Sequence, residues 1–228
     1  SPEYCTGCDL CVAVCPAESK EVANTFAINL ADKRKVEKVE NVNWDYFIDL
    51  PDYDRKELVV STVKGSQFLQ PLFEFSGACS GCGETPYIKM ITQLYGVSML
   101  IANATGCSSI YGGSAPSTPY CKHKDSGHGP AWANSLFEDN AEYGFGFAEG
   151  VTAQRDRIAS IMEAALANGA SDAEKEVYAE WIANKENAEG SVLASKKVLD
   201  VINTSKSTDA HAIVHLTQSL VTKSTCVF

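Results

Sequence analysis

The sequence predicts an α/β domain with a helical region over residues 150–204, preceded by a small cysteine-rich segment. Three observations predict this fold. Residues 99–102 form a short apolar run that fits a buried strand. Residues 150–204 are rich in alanine and place apolar side chains three and four positions apart, as packed antiparallel helices do. Four cysteines fall within residues 5–15, which is typical of a metal-binding or redox segment.

Composition excludes several classes of protein. The chain has 228 residues, of which 45% are hydrophobic and 21% charged, as expected of a globular protein. Its net charge of −10 argues against nucleic-acid binding, and its apolar runs are too short to cross a membrane. Seven of the nine cysteines form short groups, which indicates metal or redox chemistry in a reducing compartment. The chain opens with Ser1, and we expect both ends to be cut from a longer polypeptide.

The elements of the α/β part follow from local signals. Pro86 after Thr85 predicts a helix that runs to about Leu94 and stops at Gly96. The strand at residues 99–102 is followed by small polar residues at 103–109, which suit a ligand-binding loop at a strand's carboxyl end. Helical spacing then predicts further helices, over residues 134–147, 151–168, 172–187 and 191–203.

The first cysteine group has the spacing of bacterial ferredoxins, Cys5-x-x-Cys8-x-x-Cys11-x-x-x-Cys15-Pro16. Three thiolates at gaps of two residues bind three corners of one [4Fe–4S] cluster, and the fourth cysteine ligates a second cluster. Zinc fingers instead separate their Cys-x-x-Cys units by a longer loop. The spacing therefore favours iron–sulfur clusters over zinc.

The second group combines Cys79 and Cys82, in a glycine-rich loop, with Cys107, in the loop after the predicted strand. Spacing alone leaves three alternatives for these thiols. They are a further [4Fe–4S] cluster that lacks one ligand, a cysteine-rich zinc site, and a metal-free redox pair.

Three sequence blocks carry a resemblance to one known family. They are CSGCGETPY from Cys79, ANATGCSSIYGG from Ala102 and GPAWANSLFEDNAEYGFG from Gly129, behind the ferredoxin-type run. Together they resemble the pyruvate:ferredoxin (flavodoxin) oxidoreductases, including the pyruvate:NADP oxidoreductase branch. The resemblance implies that residues 1–30 are the C-terminal part of an α+β ferredoxin-like 2[4Fe–4S] domain. Residues 31–75 would be a connector, and 76–228 the N-terminal part of an α/β thiamine diphosphate-binding domain with a helical insertion.

The resemblance also implies an activity: a cytoplasmic, homodimeric enzyme (mitochondrial or hydrogenosomal in a eukaryote) that oxidatively decarboxylates pyruvate and forms acetyl-CoA from coenzyme A. Three [4Fe–4S] clusters would pass the electrons to ferredoxin, flavodoxin or a fused NADP reductase domain. The implied cluster ligands are Cys5, Cys8, Cys11 and Cys15 in the ferredoxin-like domain, and Cys79, Cys82 and Cys107 at the proximal cluster. The implied contacts of thiamine diphosphate are Glu84, Thr105, Gly106 and Cys107.

The sequence departs from the complete family pattern. It contains no Gly-Asp-Gly…Asn motif, so the ligands of Mg²⁺ would lie outside this segment, and we expect the segment alone to be inactive. Two other functions stay open, namely a non-catalytic iron–sulfur electron-transfer module and another 2-oxoacid:ferredoxin oxidoreductase. The four histidines are interpreted as ordinary loop, core or surface residues: His123, His128, His211 and His215.

Overall fold

The computed structural model describes residues 3, 5, 7–115 and 117–228. It divides the chain into two compact units, Ser1–Leu94 and Tyr95–Phe228. Within the described part of the chain, no helix combines the length and apolar character that a membrane crossing requires. The finer domain limits at residues 30 and 75 stay a prediction.

The first unit is built from short helices. They are α1 (Leu10–Ala13), α2 (Lys33–Ile48), α3 (Val63–Ser66) and α4 (Thr85–Tyr95), with a 3₁₀ turn at Arg55–Glu57. Side chains cap two of them: Asp32 accepts from the Arg34 N–H at 3.1 Å, and Thr62 from the Gly65 N–H at 3.0 Å. Such caps satisfy backbone donors that a helix leaves unpaired, so the sequence fixes where these helices begin.

Buried residues of the first unit surround α4. Phe73 and Ile88 are both buried, and Gln93 donates to the Leu69 carbonyl at 2.9 Å. Gln67 donates to Gln93 at 3.1 Å. These contacts hold the segment before the second cysteine loop against the helix that follows the loop. By contrast, α2 has no buried residue.

The second unit contains a parallel sheet of three strands. They are β1 (Met99–Ala104), β2 (Ala131–Ser135) and β3 (Ser224–Val227), in the order β2-β1-β3. Ile101 is opposite Trp132 in β2 and Cys226 in β3. Since both neighbours run parallel to β1, the carboxyl ends of all three strands meet at one edge of the sheet.

Helices form the rest of this unit. They are α5 (Cys107–Gly113), α6 (Asn140–Ala167), α7 (Asp172–Ala183), α8 (Ala188–Ile202) and α9 (Thr208–Val214), with 3₁₀ turns at Gly96–Ser98 and Thr217–Ser219. The C-terminal half of α6 packs with α7, α8 and α9 around the fully buried Trp181 and Tyr178. Its N-terminal part lies against the sheet, where an added Cβ at Gly144 would stand 2.4 Å from Val227 Cγ2.

The structure confirms the α/β class, the helix from Thr85, the strand that begins at Met99 and the helical region. The helix predicted over residues 134–147 is wrong at its start. Residues 134 and 135 belong to β2, and the helix begins at Asn140 and continues without a break to Ala167. Of the β2 residues, only Trp132 has a high strand propensity, whereas alanine and asparagine are depleted in strands, so β2 depends on the hydrogen-bond partners that β1 supplies.

Candidate cluster and cofactor site

The first cysteine run folds as an open loop that ends in α1. Cys5, Cys8 and Cys11 are exposed, and none of them forms a disulfide. The loop turns at Gly7 and Asp9, whose φ angles of 72° and 62° lie in the left-handed region. Glycine adopts this conformation without strain, and a Cβ at Gly7 would meet no atom within 4 Å. The loop therefore leaves space beside its backbone for a bound group.

Cys15 follows α1 and is half-buried. Backbone hydrogen bonds, chiefly at Ala17 and then at Ile28, hold the pKa of the Cys15 thiol below its usual value. A lowered pKa favours the thiolate, which is the form of cysteine that binds metals. The chemistry of this position fits a cluster ligand.

The second cysteine loop precedes α4 directly. The Cys82 N–H donates to the Cys79 carbonyl at 3.0 Å, and Gly81 between them has a φ of 74°. This turn places both thiols on one short loop, with Cys79 exposed and Cys82 half-buried. Glu84 is exposed, and its carbonyl accepts the first backbone hydrogen bonds of α4, from Tyr87 at 3.1 Å and Ile88 at 3.3 Å.

The two cysteine groups share one cavity within the first unit. A cavity of about 740 Å³ is lined by Cys8, Cys79 and Cys82. Cys5 and Cys11 instead line a second cavity of about 890 Å³, together with apolar side chains of α2 such as Trp44. Across the described residues, no three His, Cys, Asp or Glu side chains lie close enough together to hold one metal ion. The structure thus brings Cys8 to the second group but does not gather the thiols of the first run.

In the second unit, the predicted contact residues follow the carboxyl end of β1. Thr105 donates two hydrogen bonds to the carbonyl of Ser135 in β2, one from its N–H at 3.0 Å and one from its hydroxyl at 2.9 Å. The Gly106 N–H donates to Ser109 Oγ at 2.9 Å, and α5 begins at the exposed Cys107. A Cβ at Gly106 would meet nothing within 4 Å. The turn is held firmly and leaves its backbone open to a ligand.

A chain of hydrogen bonds between side-chain amides supports this turn. Asn103 Nδ2 donates to Asn134 Oδ1 at 2.9 Å, and Asn134 Nδ2 donates to Thr105 Oγ1 at 2.8 Å. From the first turn of α6, Asn140 Nδ2 donates to the carbonyls of Phe228, at 2.8 Å, and Ala102, at 3.3 Å. Sequence reasoning did not assign roles to Asn103 and Asn134, because a pairing across 31 residues leaves no local signal.

Two of these asparagines keep an unused acceptor. Asn103 is fully buried and Asn140 is 5% exposed, yet neither Oδ1 atom has a hydrogen-bond partner among the described residues. A buried acceptor without a donor costs free energy, so each of these atoms is a position where a ligand, water or ion can complete the hydrogen bonding. Both lie at the carboxyl edge of the sheet, which is the usual ligand edge of parallel α/β proteins.

The residues present fit the groups that the resemblance implies. Exposed or half-buried thiols on open glycine turns match iron–sulfur ligation, and the open Thr105–Gly106 turn matches close approach of a cofactor. The histidines add nothing to either group. His123 accepts, through its carbonyl, from Gly127 at 2.8 Å within a loop, and His211 and His215 lie at the end of α9.

Several known proteins match most of the chain. The chain is 56% identical over 163 residues (72% of its length) to the probable pyruvate-flavodoxin oxidoreductase of Escherichia coli. It is 43% identical over 230 aligned residues (97% of its length) to the pyruvate-flavodoxin oxidoreductase of Trichormus variabilis. It is 54% identical over 166 residues (71% of its length) to the pyruvate dehydrogenase [NADP(+)] of Cryptosporidium parvum. No family model matches the chain.

The match concerns only part of each relative. The chain spans 14% of the E. coli protein, 19% of the Trichormus protein and 8% of the Cryptosporidium protein. The similarity therefore relates this chain to one segment of much longer polypeptides.

Proposed function

Because the chain is related over most of its length to a segment of the pyruvate:flavodoxin oxidoreductase family, we propose that it is part of an enzyme that oxidatively decarboxylates pyruvate with coenzyme A. The products are acetyl-CoA and CO₂. The electrons pass through [4Fe–4S] clusters to flavodoxin or ferredoxin, or to a fused NADP reductase domain. The names of the relatives support pyruvate as the substrate, since the word pyruvate occurs in all three names.

The cysteines are the proposed cluster ligands. Cys5, Cys8 and Cys11 hold one ferredoxin-type cluster and Cys15 ligates another, in accordance with their spacing. Cys79 and Cys82, with Cys107, are ligands of a proximal third cluster. The observation that carries this proposal is the cavity of about 740 Å³ that Cys8 lines together with Cys79 and Cys82. Thiols of two cysteine groups that face one cavity can hold clusters close enough for electrons to pass between them.

Thiamine diphosphate is the proposed organic cofactor, and it supplies the carbanion stabilisation that decarboxylation of a 2-oxo acid requires. Thr105, Gly106 and Cys107 would bind it at the carboxyl edge of the sheet, and Glu84 is a further contact. The amide chain from Asn103 through Asn134 fixes Thr105, and the absence of a side chain at Gly106 leaves the backbone accessible. The ligands of Mg²⁺ are assigned to residues outside this chain.

The proposal extends to the assembly and the compartment of the enzyme. The resemblance to the family supports a homodimer. Because seven clustered cysteines that serve as thiolate ligands must stay reduced, the enzyme is assigned to a reducing compartment, which is the cytoplasm, or the mitochondrion or hydrogenosome in a eukaryote. The relative named as an NADP(+)-dependent pyruvate dehydrogenase supports a branch that delivers the electrons to a nicotinamide acceptor.

A ligand substitution in the complete enzyme tests the proposal. Anaerobically purified enzyme is expected to reduce a viologen dye only when both pyruvate and coenzyme A are present. Cys79→Ser removes one thiolate of the proximal cluster, so we expect the iron content to fall by about four atoms per chain. Viologen reduction should be lost at the same time.

Cys226→Ser is the matched control. Cys226 belongs to neither cysteine group, and burial raises the pKa of its thiol, which disfavours the metal-binding thiolate. The iron content and activity of the Cys226→Ser enzyme should match those of the unchanged enzyme. Reduction of the dye by an added reductant, but not by pyruvate and coenzyme A, would support an electron-transfer module instead, and zinc in place of iron would refute the cluster assignment.

A further inference from the structure

A polar cavity lies in the second unit, at the start of β3 and away from the carboxyl edge of the sheet. Its volume is about 310 Å³. Side chains from α6, from the turn after α7 and from β3 with its preceding residues line it. The polar members of this lining are Thr152, Arg155, Lys185, Glu186, Thr222, Lys223 and Thr225. Three of them carry a positive charge, although the whole chain has a net charge of −10.

Arg155 supplies a buried charge at the base of the cavity. It is 4% exposed, and its guanidinium donates to the carbonyls of Ser219 and Leu220, both at 2.8 Å, and to the Lys185 carbonyl. It also lies over the ring of Trp181, 5.3 Å from the centroid. These partners are neutral, so no carboxylate among the described residues makes a direct contact with this charge. Thr222 Oγ1 accepts a further hydrogen bond at 3.3 Å. Four donated hydrogen bonds thus fix the position of the Arg155 guanidinium.

Lys223 adds a second positive charge to the lining of the cavity. It is half-buried, and it makes no hydrogen bond or ion pair with any other described residue. Burial, and then the positive charge of Arg155, lower the pKa of the Lys223 ammonium group. Two cations that repel each other at the wall of one cavity create a favourable place for an anion.

The other charged groups near the cavity are one further cation, Lys185, and two carboxylates. Lys185 forms an ion pair with Asp156 and a longer one with Glu186, at 3.7 Å. The cations Arg155, Lys185 and Lys223 thus face two carboxylates, which leaves one positive charge unbalanced. Thr225 adds a hydroxyl for which the described residues provide no partner.

We infer that this cavity binds a phosphate-type oxyanion, held directly by Lys223 and Thr225 and attracted by the fixed charge of Arg155. An ammonium group and a hydroxyl donate to the oxygens of such an anion, and charge-assisted hydrogen bonds of this kind are strong. The site lies near the start of β3, whereas Thr105 follows the carboxyl end of β1, so the anion would bind at the opposite end of the sheet from the proposed cofactor. Its effect would be to anchor β3 to α6.

Titration of the complete chain with inorganic phosphate tests this inference. Isothermal titration calorimetry at constant ionic strength is expected to show one saturable site, and thermal unfolding should shift upward with phosphate concentration. Sulfate should compete with phosphate, whereas chloride and acetate at the same ionic strength should not. In Lys223→Gln, we expect affinity for phosphate to fall about tenfold or more.

Two further variants keep the test decisive. Lys196→Gln removes the same charge from an exposed position of α8 and should bind phosphate as tightly as the unchanged chain. Thr225→Val keeps a β-branched side chain and removes the hydroxyl, so it should weaken phosphate binding severalfold while circular dichroism stays unchanged. Equal losses in Lys223→Gln and Lys196→Gln, or equal stabilisation by phosphate and chloride, would overturn the inference.

Discussion

The closeness of α6 to the sheet leads to a quantitative prediction for Gly144→Ala. The new Cβ would stand 2.4 Å from Val227 Cγ2 and 3.4 Å from the Ala102 Cβ. Carbon atoms prefer separations of about 3.5–4.0 Å, so Val227 or the helix must move by roughly 1 Å. A β-branched side chain has few alternative χ1 rotamers, which makes a simple rotation of Val227 difficult.

Two opposing contributions set the magnitude. Overpacking costs about 1–3 kcal/mol, whereas replacing glycine by alanine within a helix gains about 1 kcal/mol. Gly146→Ala, two residues along the same helix, measures the gain alone, because its Cβ would meet no atom within 4 Å. The free energies of unfolding of the two variants should therefore differ by about 1–3 kcal/mol, with Gly144→Ala the less stable.

Urea unfolding of the chain, followed by far-ultraviolet circular dichroism, measures this difference. The unfolding midpoint of Gly146→Ala should lie above that of the unchanged chain, and the midpoint of Gly144→Ala should lie clearly below that of Gly146→Ala. If the two variants are equally stable, α6 does not pack tightly on β1 and β3, and the reasoning about the position of Asn140 fails with it.

Two further predictions concern hydrogen-bonded polar groups of the second unit. Glu174 is 4% exposed and accepts bonds from three serines, which lower the pKa of its carboxyl to about 2. Glu174→Gln should lower the free energy of unfolding by about 2 kcal/mol near pH 7. Since the pKa of the carboxyl is depressed in the folded state, this difference from the unchanged chain should be complete at pH values above the ordinary carboxyl pKa. It should shrink as the pH falls toward about 2. Urea unfolding at several pH values checks this, and a gap independent of pH would contradict it. Asn134→Ala removes the hydrogen-bonded link between Asn103 and Thr105 and should lower the free energy of unfolding by about 1–3 kcal/mol in the same assay. Asn168→Ala, at the end of α6, is the control and should lower it less. Equal losses would show that the hydrogen bonds of Asn134 do not stabilise the turn.

Local sequence signals predicted part of this architecture. Pro86 marked the start of α4, because this signal depends on neighbouring residues alone. The ligand set that the spacing of Cys5, Cys8, Cys11 and Cys15 indicates stays a prediction. β2 could not be found in this way, since Trp132 is its only residue with a high strand propensity and the segment pairs with β1.

The candidate site shows the same division. The place of residues 103–109 after an apolar run predicted a ligand-binding loop, and the family resemblance implied Thr105 and Gly106 as cofactor contacts, but the amides that hold this turn come from distant parts of the sequence. The cavity near Lys223 also escaped prediction, because Arg155 reaches carbonyl groups 64 and 65 residues further along the chain. Contacts of this kind depend on the tertiary fold and leave no periodic pattern in the sequence.

The uninterrupted length of α6 has a mechanical consequence. Its 28 residues extend for about 42 Å, so one stiff rod connects Asn140, at the carboxyl edge of the sheet, with Ile158 and Met162 in the helical core. A tilt at either end must displace the other, as with a lever, because the rod has no joint to absorb it. Substitutions in the helical core far from any cysteine should therefore alter the alignment of the strand ends before they unfold the protein.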